Sequence, residues 1–137
     1  MMKYDAEYIK RFRETVKRLH LRGEAEVEAL DDGQIRTAIN GVGSAGMPPG
    51  VRAVLDVLNP TMIYASHLHD IHWHHYNAGT MEDFRESNAD FEANTIAIAN
   101  ALYGMLNPLR YWARWKARQG HDLLNRWGWD AYTKAPR

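Results

Sequence analysis

At 137 residues, with hydrophobic residues at 45% and charged residues at 25%, the chain suits one globular domain and leaves little room for a second. Seventeen Lys plus Arg balance seventeen Asp plus Glu, so global charge argues against a protein that coats nucleic acid. Cysteine is absent, which excludes disulfides and thiolate metal sites and leaves the hydrophobic core to hold the fold.

The neutral total hides a segregation. Residues 1–30 carry seven positive and six negative groups; residues 31–106 carry three positive and nine negative; residues 107–137 carry seven positive and two negative. An acidic middle beside a basic tail suggests a cation-binding or proton-handling centre with an anionic surface to meet, or simply pairing between the two halves. Histidine is concentrated as well, with five of the seven between His67 and His75. Four of the five tryptophans lie at or after Trp112.

In chain order, the charged start (MMKYDAEYIKRFRE) predicts neither a membrane span nor a secretory signal. The expectation is a chain synthesised soluble in a reducing cytoplasm. Tyr8, Ile9, Phe12, Val16 and Leu19 recur at helical spacing and predict a helix over 4–20. Gly23 ends it, Glu24–Leu30 reads as a short second helix, and Asp31-Asp32-Gly33 as a turn. Ala38–Gly50 (AINGVGSAGMPPG), with its glycines and prolines, reads as a long irregular loop of the kind that tends to be functional. Asn59-Pro60 signals a helix start, and that helix runs to about Tyr76, carrying the five clustered histidines. Thr80 to Asp83 resembles a capping box and opens a long helix to about 106, with Met81, Phe84, Phe91, Ile98, Leu102 and Met105 as its buried stripe. Asn107-Pro108 starts a basic, aromatic helix to about Arg118, followed after Gly120 by a short tail.

No alternating β-branched run of useful length exists, so the expected fold is mainly α. Two long helices, about 60–76 and 81–106, should pack antiparallel through their short connection, with the glycine-rich loop before them. The expected organisation is one domain: a helical extension (1–30), a core (38–106) and a basic aromatic segment (107–137).

His69-Asp70 carries the chemistry. Adjacent helical positions point about 100° apart, so the two side chains serve neighbouring tasks: proton transfer by the imidazole and cation binding by the carboxylate. An imidazole base needs an acceptor on its second nitrogen, and Asp90 on the following helix is the candidate. If the helices fold back about residues 77–80, His69 faces residue 87 or 88, and Asp90 sits about 4 Å off level, within side-chain reach. The loop Gly41-Val42-Gly43-Ser44-Ala45-Gly46 can present successive backbone groups to an ion. Calcium takes six to eight oxygens, often mixing carbonyls with a carboxylate, which Asp70 can supply.

Three stretches together, Asn40-Gly41-Val42-Gly43-Ser44-Ala45-Gly46, Ala65-Ser66-His67-Leu68-His69-Asp70 and Ala89-Asp90-Phe91, resemble the phospholipase A2 superfamily. The likeness is strongest to small phage and prophage phospholipase A2-like proteins, and similar in plan to the lipase domain of parvovirus capsids. It covers roughly residues 38–106 and leaves the amino-terminal helix unexplained. It implies that His69 is the general base activating a water against a phospholipid ester. Asp90 would orient it, and Asp70 with the carbonyls of Gly41, Gly43 and Ala45 would hold calcium. The Gly43 amide would then help stabilise the oxyanion.

The sequence departs from the family at three places. Trp73 stands where a tyrosine bonded to the orienting Asp is usual, Val42 and Ser66 stand where a disulfide often ties the loop, and Ala45 replaces the third loop glycine. The alternative is therefore a catalytically silent module of the same plan, serving as a structural or binding part of a phage particle.

Zinc is the rival chemistry, since His72 and His75 are three apart with His69 one turn back. No His-Glu-x-x-His pattern supports it, and zinc is not expected. His67, His72, His74 and His75 are expected to face solvent or a partner. Arg110, Trp112, Arg114, Trp115, Lys116 and Arg118 suit an anionic phospholipid membrane or another phage protein. The competing account packs the tryptophans across helices and lets the arginines snorkel. Nucleic acid is not expected as a partner, because the acidic centre opposes it, and a homo-oligomer stays open.

Overall fold

In the computed structural model, residues 4–39 and 60–134 are described, and they form seven helices: α1 (Ala6–Leu19), α2 (Glu24–Glu28), α3 (Asp32–Ile39), α4 (Pro60–His75), α5 (Met81–Leu102), α6 (Pro108–Trp127) and α7 (Trp129–Lys134). The mainly α expectation holds, with no strand among the described residues. Gly41, Gly43, Ala45 and the rest of the glycine-rich segment from residue 40 lie outside them.

α1 starts at Asp5, whose carboxylate accepts the Tyr8 N–H at 2.9 Å. Its apolar stripe buries Ile9, Phe12 and Val16 while Lys10, Lys17 and Arg18 stay exposed. The helix closes at His20 in the left-handed region (φ 49°), with Leu21 N–H reaching Val16 O at 3.1 Å. Gly23 (φ 100°) then turns the chain into α2 rather than ending α1.

The expected turn at Asp31–Gly33 is instead a helix start. The Asp31 carboxylate accepts the Gln34 N–H at 2.8 Å and the Gln34 side chain accepts the Asp31 N–H at 3.0 Å, a reciprocal cap. Ala38 and Ile39, expected in the loop, form the buried last turn of α3.

α4 and α5 run antiparallel as expected. His72 meets Asp83, Trp73 meets Ser87 and His69 meets Asn88, one number falling as the other rises. Thr80 caps α5 by accepting the Asp83 N–H at 3.1 Å. α5 ends at Leu102, earlier than expected. Of its expected stripe only Phe84, Phe91 and Ile98 are buried; Met81, Leu102 and Met105 are exposed. The positions between are filled by the buried polar residues Ser87, Asn88, Asn94 and Thr95.

α6 does not stop near Arg118 but continues through Gly120 to Trp127. A Cβ on Gly120 would sit 2.8 Å from Phe91 Cε1 and 3.0 Å from Met62 Cε. This glycine is where α6 approaches α4 and α5 closely, not a helix terminator.

Two apolar clusters flank α4. Ile9, Phe12, Val16, Val27 and Ile35 join Leu68 and Ile71 on one side. Trp73, Phe84, Phe91, Leu124 and Tyr132 gather on the other. Burying a side chain such as Phe12 contributes about 1.5–3 kcal/mol, and α4 buries apolar side chains toward both clusters, Leu68 and Ile71 into one and Met62, Ala65 and Trp73 into the other. No helix among the described residues is long and apolar enough to cross a membrane.

Candidate functional site

α4 carries its histidines into both clusters, and each meets a different environment. His67 is 5% exposed and its Nε2 lies 2.7 Å from the Tyr8 hydroxyl. Burial, then the neighbouring Tyr4 and Tyr64, push the Tyr8 hydroxyl far above its ordinary range. This corrects the expectation of a surface His67: α1 covers that face of α4.

His69 is 6% exposed. Its ring packs on Trp73 with centroids 4.2 Å apart, and Phe91 approaches edge-on at 6.0 Å. Nε2 lies 2.8 Å from Asn88 Oδ1, and Nδ1 lies 4.0 Å from the Asp70 carboxylate. Asn88 is fully buried and passes the contact on, donating from Nδ2 to Asn125 Oδ1 at 2.8 Å.

Asp90 does not reach His69. It pairs with Arg22 at 2.9 Å, tying α5 to the segment between α1 and α2. The reason is helical phase: two residues turn the helix by about 200°, so Asn88 faces His69 while Asp90 is turned toward Arg22 on the wall of the adjoining cleft. Residue 88 was within the register expected for His69, but the acceptor there is a carboxamide. Trp73 likewise does not touch Asp90; its Nε1–H donates to Ser87 Oγ at 2.8 Å, and Ser87 donates to Phe84 O at 2.8 Å.

His72 is held between two carboxylates, Glu26 at its Nδ1 and Asp83 at its Nε2, each 2.9 Å at closest approach. Burial alone would push this imidazole down, but the hydrogen bonds and charges of Glu26 and then Asp83 outweigh it and raise it to about 9. Asp83 also accepts from the Tyr132 hydroxyl at 2.6 Å. Burial would raise Asp83, yet Tyr132, His72 and the Ala78 amide together hold it below its ordinary value. Burial and then Asp83 push Tyr132 up to about 12. His75 Nε2 lies 3.1 Å from Gln34 O. Burial, then His75, lower His74 against the pull of Asp70.

A cleft of about 180 Å³ opens beside His69. Leu68 and Phe91 form part of its apolar wall, and Arg22, Glu86 and Asp90 part of its polar one. Among the described residues, no group of three or more His, Cys, Asp or Glu could hold a metal ion. A site of one carboxylate and several backbone carbonyls would not form such a group, and its carbonyls at residues 41, 43 and 45 lie outside the described residues. Asp70 is a hard oxygen donor whose side chain is 19% exposed, of the right chemistry for calcium.

On α6, Trp112 and Trp115 are 47% and 56% exposed, and Lys116 Nζ lies 5.4 Å from the centroid of each ring. Arg114 is exposed and Arg110 half-buried. Arg118 is engaged at home, 3.4 Å from Glu92 and 3.7 Å from Asp122. The corner between the end of α5 and the first turn of α6 adds Leu102, Met105, Leu106 and Leu109, with Leu106 98% exposed.

No family model, curated protein or solved structure matches this chain.

The sequence does not mark Asn88, Asn125, Glu26 or Tyr132 as site residues, and it marks Asp83 only as part of the box that opens α5. Asn88 had a usable signal, since it sits at the level computed for His69. Asn125 and Tyr132 come from α6 and α7, whose extent the sequence understated.

Proposed function

We propose that the chain is a calcium-dependent phospholipase A2-like hydrolase in which His69 is the general base. The observation that carries this reading is a buried imidazole with an acceptor on Nε2 and the Asp70 carboxylate beside Nδ1. A histidine held through one nitrogen offers the other to a water, and moves that proton away as the water attacks an ester carbonyl. Trp73 and Phe91 fix the ring plane, so the basic nitrogen keeps one direction. Asp70, with the carbonyls of Gly41, Gly43 and Ala45, would hold calcium. When bound, calcium supplies Lewis-acid polarisation of the ester carbonyl.

The phospholipid part of the reading is supported by the corner from Leu102 to Trp115. Exposed leucines, methionine and tryptophans beside Arg110, Arg114 and Lys116 match a bilayer interface with anionic headgroups. The test is fatty-acid release from anionic vesicles with and without calcium, comparing wild type with His69→Ala. Calorimetric titration with calcium, against Asp70→Asn, tests the ion site separately.

A second reading, a catalytically silent module of a phage particle, is favoured by one feature. The acceptor on His69 is the neutral Asn88, which stabilises a charged imidazolium less than a carboxylate does.

A further inference from the structure

Asn88 does not end the hydrogen-bond path that begins at His69. Asn125 Oδ1 accepts from Asn88 Nδ2 at 2.8 Å, Asn125 Nδ2 lies 3.1 Å from His121 Nε2, and His121 Nδ1 lies 3.2 Å from Asp122 Oδ1. The path leaves the core, from fully buried Asn88 to an Asp122 side chain that is 57% exposed. Its polarity follows from what each group can do. The Asp122 carboxylate only accepts, so His121 carries its proton on Nδ1. With its single proton on Nδ1, His121 accepts at Nε2, which matches the Asn125 NH2 turned outward and its oxygen inward. Asn88 must present its NH2 to that oxygen, which leaves its own carbonyl facing His69. His69 therefore donates from Nε2, and its lone pair is on Nδ1, where the Asp70 carboxylate at 4.0 Å is beyond hydrogen-bond reach.

We propose that Asn125, backed by His121 and Asp122, is a positioning residue that aims the Asn88 carbonyl at His69 Nε2 and so keeps Nδ1 of His69 unprotonated. A carboxamide can be read either way round, so Asn88 alone does not choose a tautomer. The partner on its far side makes the choice. Position 125 is exposed, and a core role does not account for an asparagine there. The importance of the tautomer for catalysis rests on the hydrolase reading above; the tautomer itself does not.

The test is imidazole nitrogen spectroscopy on the full chain labelled with 15N-histidine, at mildly alkaline pH, with His69 assigned by His69→Gln. In the wild type, His69 should show a protonated, pyrrole-like Nε2 and a pyridine-like Nδ1. Asn125→Asp still accepts from Asn88 and should keep that pattern. Asn125→Ala should shift the ratio of the two tautomers by about fivefold or more, the size expected when one hydrogen bond no longer biases it. Asp122→Ala, a change at the exposed end, should shift it in the same direction by less. A protonated Nδ1 in the wild type, or a pattern unchanged in Asn125→Ala, overturns the proposal. If the tautomers behave as expected while vesicles stay intact, the hydrolase reading fails and this assignment stands.

Discussion

His72 Nε2 lies 2.9 Å from Asp83 Oδ1, and this pair ties α4 to the first turn of α5 while Glu26 of α2 holds the opposite nitrogen. Both ring nitrogens donate only when the imidazole is charged, so three helices depend on one proton.

Stability should therefore fall on the alkaline side. His72 is held at about 9 in the folded chain against an ordinary 6.5. Its contribution is complete below pH about 6.5 and is lost as pH rises through about 9. Asp83, held low, acts oppositely: its contribution is present above its ordinary value and is lost as pH falls through its lowered one. Urea unfolding should show wild type losing about 2 kcal/mol between pH about 6 and pH above 9. The loss is smaller than the full shift implies because the His72 side chain is 21% exposed. His72→Gln should flatten that slope.

Gly120→Ala should destabilise the chain by about 1–2 kcal/mol, read as a lowered Tm. Alanine favours a helix by about 1 kcal/mol, but a Cβ placed 2.8 Å from the Phe91 ring forces a shift in a packed cluster. An unchanged or raised Tm would mean that α6 can move away from α5 at little cost.

That glycine also shows what the sequence carried and what it hid. Helix periodicity located α1 and helped to locate α5, whose buried faces leave apolar spacing, whereas α4, buried toward both clusters, shows in the sequence through its Asn59-Pro60 start signal. The loop-like glycine was misleading because close approach and chain termination both select glycine, and only the facing Phe91 and Met62 separate them. α3 was missed because Asp31 and Gln34 form a cap in a stretch that reads equally as a turn. The level of His69 against α5 was legible by counting. Assigning its acceptor to Asp90 followed the charge instead of the phase, and Asn88 occupies the place.

Asn88→Asp should increase hydrolysis by about tenfold or more if His69 is the base. A carboxylate accepting from Nε2 stabilises the imidazolium formed as water is deprotonated, and the reverse change in a serine protease triad costs about 10⁴ in kcat. The measurement is kcat on anionic vesicles, with Tm recorded alongside because position 88 is fully buried. No gain in a folded variant would indicate that imidazolium formation does not limit the rate.

Leu106→Glu should weaken vesicle binding by about tenfold or more without changing Tm. Leu106 is 98% exposed, so it contributes little to the fold, while burying a leucine in a bilayer interface is worth about 1.5–3 kcal/mol. Sedimentation with vesicles of increasing anionic content measures it. Binding that ignores both the substitution and the lipid charge would remove the corner from Leu102 to Trp115 as a lipid surface.

The most direct measurement is fatty-acid release from anionic phospholipid vesicles in calcium by the wild type and by His69→Ala, with folding of both verified by circular dichroism. A general base at His69 predicts release proportional to wild-type concentration, abolished by chelating calcium and reduced about 100-fold or more in the variant. Release at equal rates from both proteins, or none above vesicles alone at any wild-type concentration, would contradict it.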